Sequence, residues 1–262
     1  MNGDDKVRIE RQEHVLLMAL NRPDQRNLFD MDMLFALAQA DGELEADPEL
    51  RCGVVVAEGK YFTLGLELPT VLPALAQQGE LRFPEGSIDP WGLQPPYRSK
   101  PVIVAAHGLC LTLGIELLLA ADIRLAAAGT RFSQMEIKRG IFPFGGATVR
   151  FVREAGWGNA MRYLLTGDEF DAGEALRVGL VQEVVEPGRL RPRALELAAT
   201  VSAQAPLGVQ ATVRSARQAL VEGEPAALQA LFPAVQQLFA TDDAAEGMRS
   251  FIERREARFA GR

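Results

Sequence analysis

Apolar positions along the first part of the chain follow two alternating rhythms. VRIERQEHVLLMALNRP (7–23) carries two short apolar runs around Gln12–Glu13 and stops at Pro23, which predicts a pair of strands. FDMDMLFALAQADGELEAD (29–47) spaces its apolar residues three and four apart and predicts an amphipathic helix. RCGVVVAEG (51–59) is a β-branched run closed by Gly59, and PVIVAAHG (101–108) repeats that pattern, so both read as buried strands. The segment from Gly108 to Ala121 follows as a helix, and ADIRLAAAG (121–129) supplies another strand. This alternation is that of an α/β protein with helices packed over sheets.

Two regions break the rhythm. Seven of the fifteen prolines fall between Pro69 and Pro101. That density predicts a long covering loop with no regular element beyond one helical turn at Leu72–Gln78. After about Ala194 the pattern becomes almost wholly helical, from LRPRALELAATVSAQ (190–204) onward. The change divides the chain into an α/β core at residues 1–194 and a helical subdomain at residues 195–262. No fixed-period repeat interrupts either part.

Composition narrows the classes of function. A chain of 262 residues with 48% hydrophobic and 24% charged residues is an ordinary globular protein. The net charge of −7 supplies no broad basic footprint and excludes nucleic acid as the expected partner. Cys52 and Cys110 sit among apolar neighbours and read as buried thiols. With only His14 and His107 and no ligand-spaced cluster, no metal site is expected. The polar N-terminal stretch lacks the apolar core of a signal peptide. The apolar run at 109–121 is shorter than the roughly 20 residues a membrane span needs, so a cytoplasmic protein is expected.

Three stretches could carry chemistry. HGLCLTLGIELLLAADIR (107–124) is built for burial yet places Glu116 in its middle. An unpaired buried charge is costly, so that carboxylate must be paired, neutral or used. A helix beginning near Leu113 offers first-turn NH groups with no intrahelical partner, and a first-turn glutamate is also favoured by the helix dipole alone. EGKYFTLGLEL (58–68) is a strand end with a turn at Gly65 that exposes neighbouring NH groups. RFSQMEIKRGIFPFGGATVRFVREAG (131–156) places Glu136 after a strand and before a Gly- and Pro-rich turn, with a helix opening near Gly145. Taken alone, Glu136 reads equally well as a surface residue paired with Lys138 or Arg139. The Gly145–Gly146 pair lacks the spacing of a phosphate-binding loop.

In order and spacing these stretches resemble the crotonase superfamily, the enoyl-CoA hydratases and isomerases. The likeness runs from NRPDQRN (21–27) through FTLGLEL (62–68), AAHGLCLTLGIELLLAADIRLA (105–126) and FSQMEIKRGIFPFGGATVR (132–150). It continues through LLTGDEFDAGEALRVGLVQEVV (164–185) to EGMRSFIERREARF (246–259). The fold it implies is a spiral of ββα units followed by helices that join subunits into a trimer or a dimer of trimers. A shared fold does not choose among reactions.

The resemblance implies that the backbone NH groups of Leu66 and Leu113 polarise the carbonyl of an acyl-CoA thioester. Donors of this kind are worth about 3–4 kcal/mol each. It implies that Glu116 holds the attacking water and that Glu136 delivers a proton to Cα. Arg26, Leu64, Gly65, Gly114 and Phe144 are the implied substrate contacts. Lys60, Arg254, Arg255 and Arg258 are further candidates for the CoA phosphates, and Tyr61, Trp91, Tyr97 and Phe142 for walls of the acyl pocket. No cofactor is implied, since coenzyme A arrives as part of the substrate, and no membrane partner. Hydration of a 2-enoyl-CoA to a 3-hydroxyacyl-CoA is the expected reaction. Isomerisation, another thioester reaction of the family, and silent acyl-CoA binding are the alternatives. The bulk of Leu64, Leu66, Thr112 and Leu113, where the family often has small residues, bears on the width of the pocket.

Overall fold

The computed structural model describes residues 5–79 and 81–262. Strand β1 (Val7–Gln12) turns at Glu13 into β2 (Val15–Leu20), and the two pair antiparallel with Val7 opposite Leu20. Strands β3 (Cys52–Ala57), β4 (Val102–Ala106), β6 (Ile123–Ala127) and β9 (Glu183–Val185) then add in parallel, giving the order β1-β2-β3-β4-β6-β9. All six residues of β2 are buried because helices cover both faces of this sheet. Leu16, Met18 and Leu20 face one core with Leu34 and Leu37 of α1 (Met31–Ala46). Val15, Leu17 and Ala19 face a second core with Ala194 and Ala198 of α7 (Leu190–Ser202).

A smaller sheet, β5-β7-β8, lies after the carboxyl ends of β4 and β6 and is formed by Leu109–Leu111, Arg131–Ser133 and Phe170–Asp171. Each unit therefore runs from a strand of the large sheet to a strand of the small one and then into a helix: β4–β5–α3 (Leu113–Ala120) and β6–β7–α4 (Ala147–Ala155). This is the expected ββα spiral. The helix expected from Gly108 starts only at Leu113, because Leu109–Leu111 pairs in parallel with Arg131–Ser133.

The proline-rich region also departs from expectation. It contains a full helix, α2 (Leu68–Gln78). Pro69 lies in the first turn, where a missing NH costs nothing, and only Pro73 falls inside the helix. Gly79 ends α2 in the left-handed region, its NH donating to the Leu75 carbonyl at 2.8 Å. Residues 81–101 are irregular and are tied to the core by a buried ion pair, Arg98 Nη1 to Asp41 Oδ2 at 2.8 Å.

Helices α5 (Trp157–Thr166) and α6 (Ala172–Arg177) complete the body. Helices α8 (Pro206–Glu222), α9 (Glu224–Phe239) and α10 (Asp242–Glu253) follow α7. The expected division at residue 194 falls inside α7, whose inner face belongs to the main sheet. Among the described residues no helix is long and apolar enough to cross a membrane.

Candidate active site

Two loops meet in front of the small sheet. Thr63 NH donates to the Leu109 carbonyl at 3.1 Å, and Leu111 NH donates back to the Thr63 carbonyl at 3.0 Å. Gly65 then turns at φ +95°, and a Cβ there would lie 1.8 Å from Thr112 Oγ1, so only glycine lets the loops close on each other. Thr112 itself is held at φ +49°, its NH donating to the Ser133 carbonyl at 2.9 Å, and α3 begins immediately after it. The NH groups that follow these two constrained residues, those of Leu66 and Leu113, have no acceptor among the described residues. Both residues line one cavity of about 240 Å³. Two preorganised donors beside a cavity can stabilise an oxygen that gains negative charge.

Glu116 and Glu136 line the same cavity. Glu116 sits in the first turn of α3 and is 2% exposed. Its Oε1 accepts from Gly145 NH at 2.7 Å and from Ala147 NH, the first residue of α4, at 3.1 Å. Burial raises its pKa to about 7, opposed by those two NH groups and by the charge of Arg150. Gly145 is where the carboxylate packs: a Cβ there would lie 2.3 Å from Glu116 Oε2.

Glu136 opens a single 3-10 turn after β7 and is 7% exposed. Gln134 Nε2 donates to its Oε1 at 3.2 Å, while Oε2 is buried without a partner. Burial raises its pKa to about 7, and the nearby Glu116 charge raises it further. Neither Lys138 nor Arg139 pairs with it; Lys138 donates instead to the Gly167 carbonyl at 2.7 Å. The surface reading of Glu136 is therefore excluded. Two buried carboxylates with unequal partners can divide a proton between them.

Residues 10–262 match the family model for enoyl-CoA hydratase/isomerase. This chain belongs to the enoyl-CoA hydratase/isomerase family. Within the family it is 35% identical to the enoyl-CoA hydratase EchA19 of Mycobacterium tuberculosis over 100% of this chain and 98% of that protein. It is 31% identical to the crotonyl-CoA hydratase of Syntrophomonas wolfei over 97% of this chain and 98% of that protein. A solved probable enoyl-CoA hydratase/isomerase from Mycobacterium abscessus superposes with a TM-score of 0.96 at 52% identity, covering 98% of this chain and 99% of that one. A solved enoyl-CoA hydratase from Mycobacterium tuberculosis gives 0.88 at 32% identity, covering 99% and 100%.

Of the residues that family membership singled out in the sequence, Glu116, Glu136, Leu64, Leu66, Leu113 and Phe144 all line the cavity. Gly65 does not; it acts through loop closure. Gly114 is turned away, its Cα packed toward Thr63 and Cys110, where a Cβ would meet Thr63 Cγ2 at 2.5 Å. Arg26 is exposed outside the cavity, but its carbonyl accepts from Leu64 NH at 3.3 Å, which places it beside the first loop. Arg255 is engaged by Glu246 and Glu253 on the helical subdomain. Tyr97 and Phe142 are exposed and line neither this cavity nor a second one that shares Leu66, Leu113 and Phe144 with it, and Tyr61 packs under Lys60. Among the described residues no group of three or more His, Cys, Asp or Glu could hold a metal ion.

The sequence reading missed the groups that hold the two glutamates. The Gly145 and Ala147 NH groups reach Glu116, and Trp91 Nε1 reaches the Leu113 carbonyl at 3.1 Å, from distant segments, whereas Gln134 lies only two residues before Glu136. The only sequence signal for them was the buried charge itself, which required some partner.

Proposed function

We propose that this protein hydrates a 2-enoyl-CoA thioester to the 3-hydroxyacyl-CoA. The observation that carries the proposal is the unequal pair of buried glutamates beside two unpaired NH donors. Two backbone NH groups and the N-terminus of α4 favour the ionised form of Glu116. The charge of Glu116 then favours the neutral form of Glu136. Burial raises both carboxyls to about 7, and the two NH groups that only Glu116 accepts favour the arrangement with the proton on Glu136 and the charge on Glu116, the division that adding water requires.

The thioester oxygen accepts from the Leu66 and Leu113 NH groups. Glu116 orients a water and takes its proton as the oxygen bonds to Cβ. The Cα–Cβ π electrons move toward the thioester, and the two NH donors stabilise the enolate oxygen. Glu136 gives its proton to Cα, and transfer of the proton gained by Glu116 to Glu136 resets the pair. Isomerisation needs only one proton shuttle and leaves the buried, held Glu116 without a task. Silent binding leaves both carboxylates and both donors without one.

Coenzyme A enters as part of the substrate, and the steps above use no further cofactor. Helices α8–α10 support assembly into a trimer or dimer of trimers: they expose Val221, Phe232, Phe239 and Phe251, more apolar surface than a solitary subunit keeps. The same reading places the chain in the cytoplasm, where the buried free thiols Cys52 and Cys110 stay reduced. The test is to supply 2-enoyl-CoA and 3-enoyl-CoA thioesters and follow product mass. Gain of one water by the 2-enoyl substrates supports hydration. Double-bond migration without water uptake supports the isomerase, and saturable binding without turnover supports the silent binder.

A further inference from the structure

The cavity that holds the glutamates adjoins a larger chamber of about 540 Å³, and the two share Leu66, Leu113 and Phe144. These three residues stand at the boundary between them. The chamber is walled by Leu72, Leu75 and Ala76 of α2 and by Leu81, Trp91 and Leu93 of the irregular segment that follows. Among the described residues its one ionisable wall residue is Asp89, whose oxygens are taken by Trp91 NH at 2.9 Å and Leu93 NH at 2.7 Å. No cationic side chain among the described residues lines the chamber, and the nearby Arg150 is committed to the Trp91 and Gly92 carbonyls, so a diphosphate would meet the Asp89 carboxyl with no free cation lining the wall. The cationic Arg139 lines the glutamate cavity instead. Charge therefore sends the coenzyme away from the chamber, and hydrocarbon is what the chamber suits.

The walls are also already built. Trp91 Nε1 donates to the Leu113 carbonyl at 3.1 Å, and the Trp91 ring meets Phe29 edge-on at 5.5 Å between centroids. Arg150 holds the adjoining backbone, donating to the Trp91 carbonyl at 2.5 Å and the Gly92 carbonyl at 2.8 Å. A preformed apolar chamber binds a chain without having to be ordered by it. The same Leu113 that supplies an unpaired NH through its amide thus also lines the chamber.

We propose that this chamber makes the protein selective for 2-enoyl thioesters whose acyl group continues as hydrocarbon well past the fourth carbon, in preference to crotonyl-CoA. The proposal rests on the hydratase reading for its chemistry but not for its binding. Two series separate them: kcat/KM for crotonyl-, hexenoyl-, octenoyl- and decenoyl-CoA, and calorimetric affinity for butyryl- and decanoyl-CoA below micelle-forming concentrations. From crotonyl to decenoyl, kcat/KM rises at least about tenfold, the least that one buried methylene is worth in an apolar pocket. Decanoyl-CoA binds correspondingly tighter than butyryl-CoA. Ala76→Phe places a ring in the chamber from an exposed helix position and lowers both long-to-short ratios several-fold. Tighter decanoyl binding with no turnover of any enoyl thioester retains the chamber assignment and overturns the hydratase reading alone. Equal affinities, or crotonyl-CoA turned over as well as decenoyl-CoA, overturn the chamber assignment.

Discussion

Replacing Glu136 with glutamine is expected to stabilise the folded protein at alkaline pH while removing most of its activity. The carboxyl is 7% exposed and its pKa is raised from 4.5 to about 7, so the native state binds its proton more tightly than the unfolded chain does. Between those two values the native state holds more protons, and stability falls as pH rises through the interval. Below the unfolded value the group is neutral in both states and costs nothing. Above about 7 the full cost of the buried charge is present. A shift of this size corresponds to about 3 kcal/mol at pH 8, of which less than about 1 kcal/mol is already felt at pH 5. Glutamine keeps an oxygen for Gln134 Nε2 and leaves no more atoms unpaired than the wild type, whose Oε2 already lacks a partner. Urea titrations of wild type and Glu136→Gln at pH 5 and pH 8 therefore show a stability gap that widens by about 2 kcal/mol toward pH 8. A gap independent of pH would refute the claim that this carboxyl ionises in a buried site.

Two further outcomes follow from the same geometry. Activity against pH is expected to be bell-shaped and centred near pH 7: protonation of Glu116 removes the base on the acid side, and ionisation of Glu136 removes the acid on the alkaline side. A flat profile between pH 5 and pH 9 would contradict the division of roles. Gly145→Ala pushes a methyl into Glu116 Oε2, so kcat is expected to fall on the order of 100-fold with little change in KM, as steady-state kinetics can read.

The sequence made the alternation of strands and helices legible because β2, β3 and β4 are continuous apolar runs covered on both faces. It was less informative where local rules are outweighed. Pro69 and Pro73 argued against a helix over Leu68–Gln78, but the first costs nothing at a helix start and α2 tolerates the second. The segment Leu109–Leu111 carries a helical pattern yet forms a strand, because its partner Arg131–Ser133 lies elsewhere in the chain. Glu116 and Glu136 were identifiable as candidates through the family resemblance, and burial with Glu116 is what separates Glu136 from a surface ion pair. The groups that give the two carboxylates unequal partners were not legible. Gly145 NH and Ala147 NH reach Glu116 across 29 and 31 residues, a contact that no local spacing encodes. Of the loop leucines unexpected in bulk, Leu66 and Leu113 line both cavities and Leu64 lines only the one that holds the glutamates.

The division of labour between the two glutamates is tested most directly by following loss of the conjugated enoyl-thioester absorbance with wild type, Glu116→Gln and Glu136→Gln under identical conditions. Positioned acid–base groups contribute roughly 100- to 10,000-fold each, so both variants are expected to lose at least about 100-fold in kcat while still binding a saturated acyl-CoA with near wild-type affinity. Turnover by either variant at the wild-type rate would contradict the account.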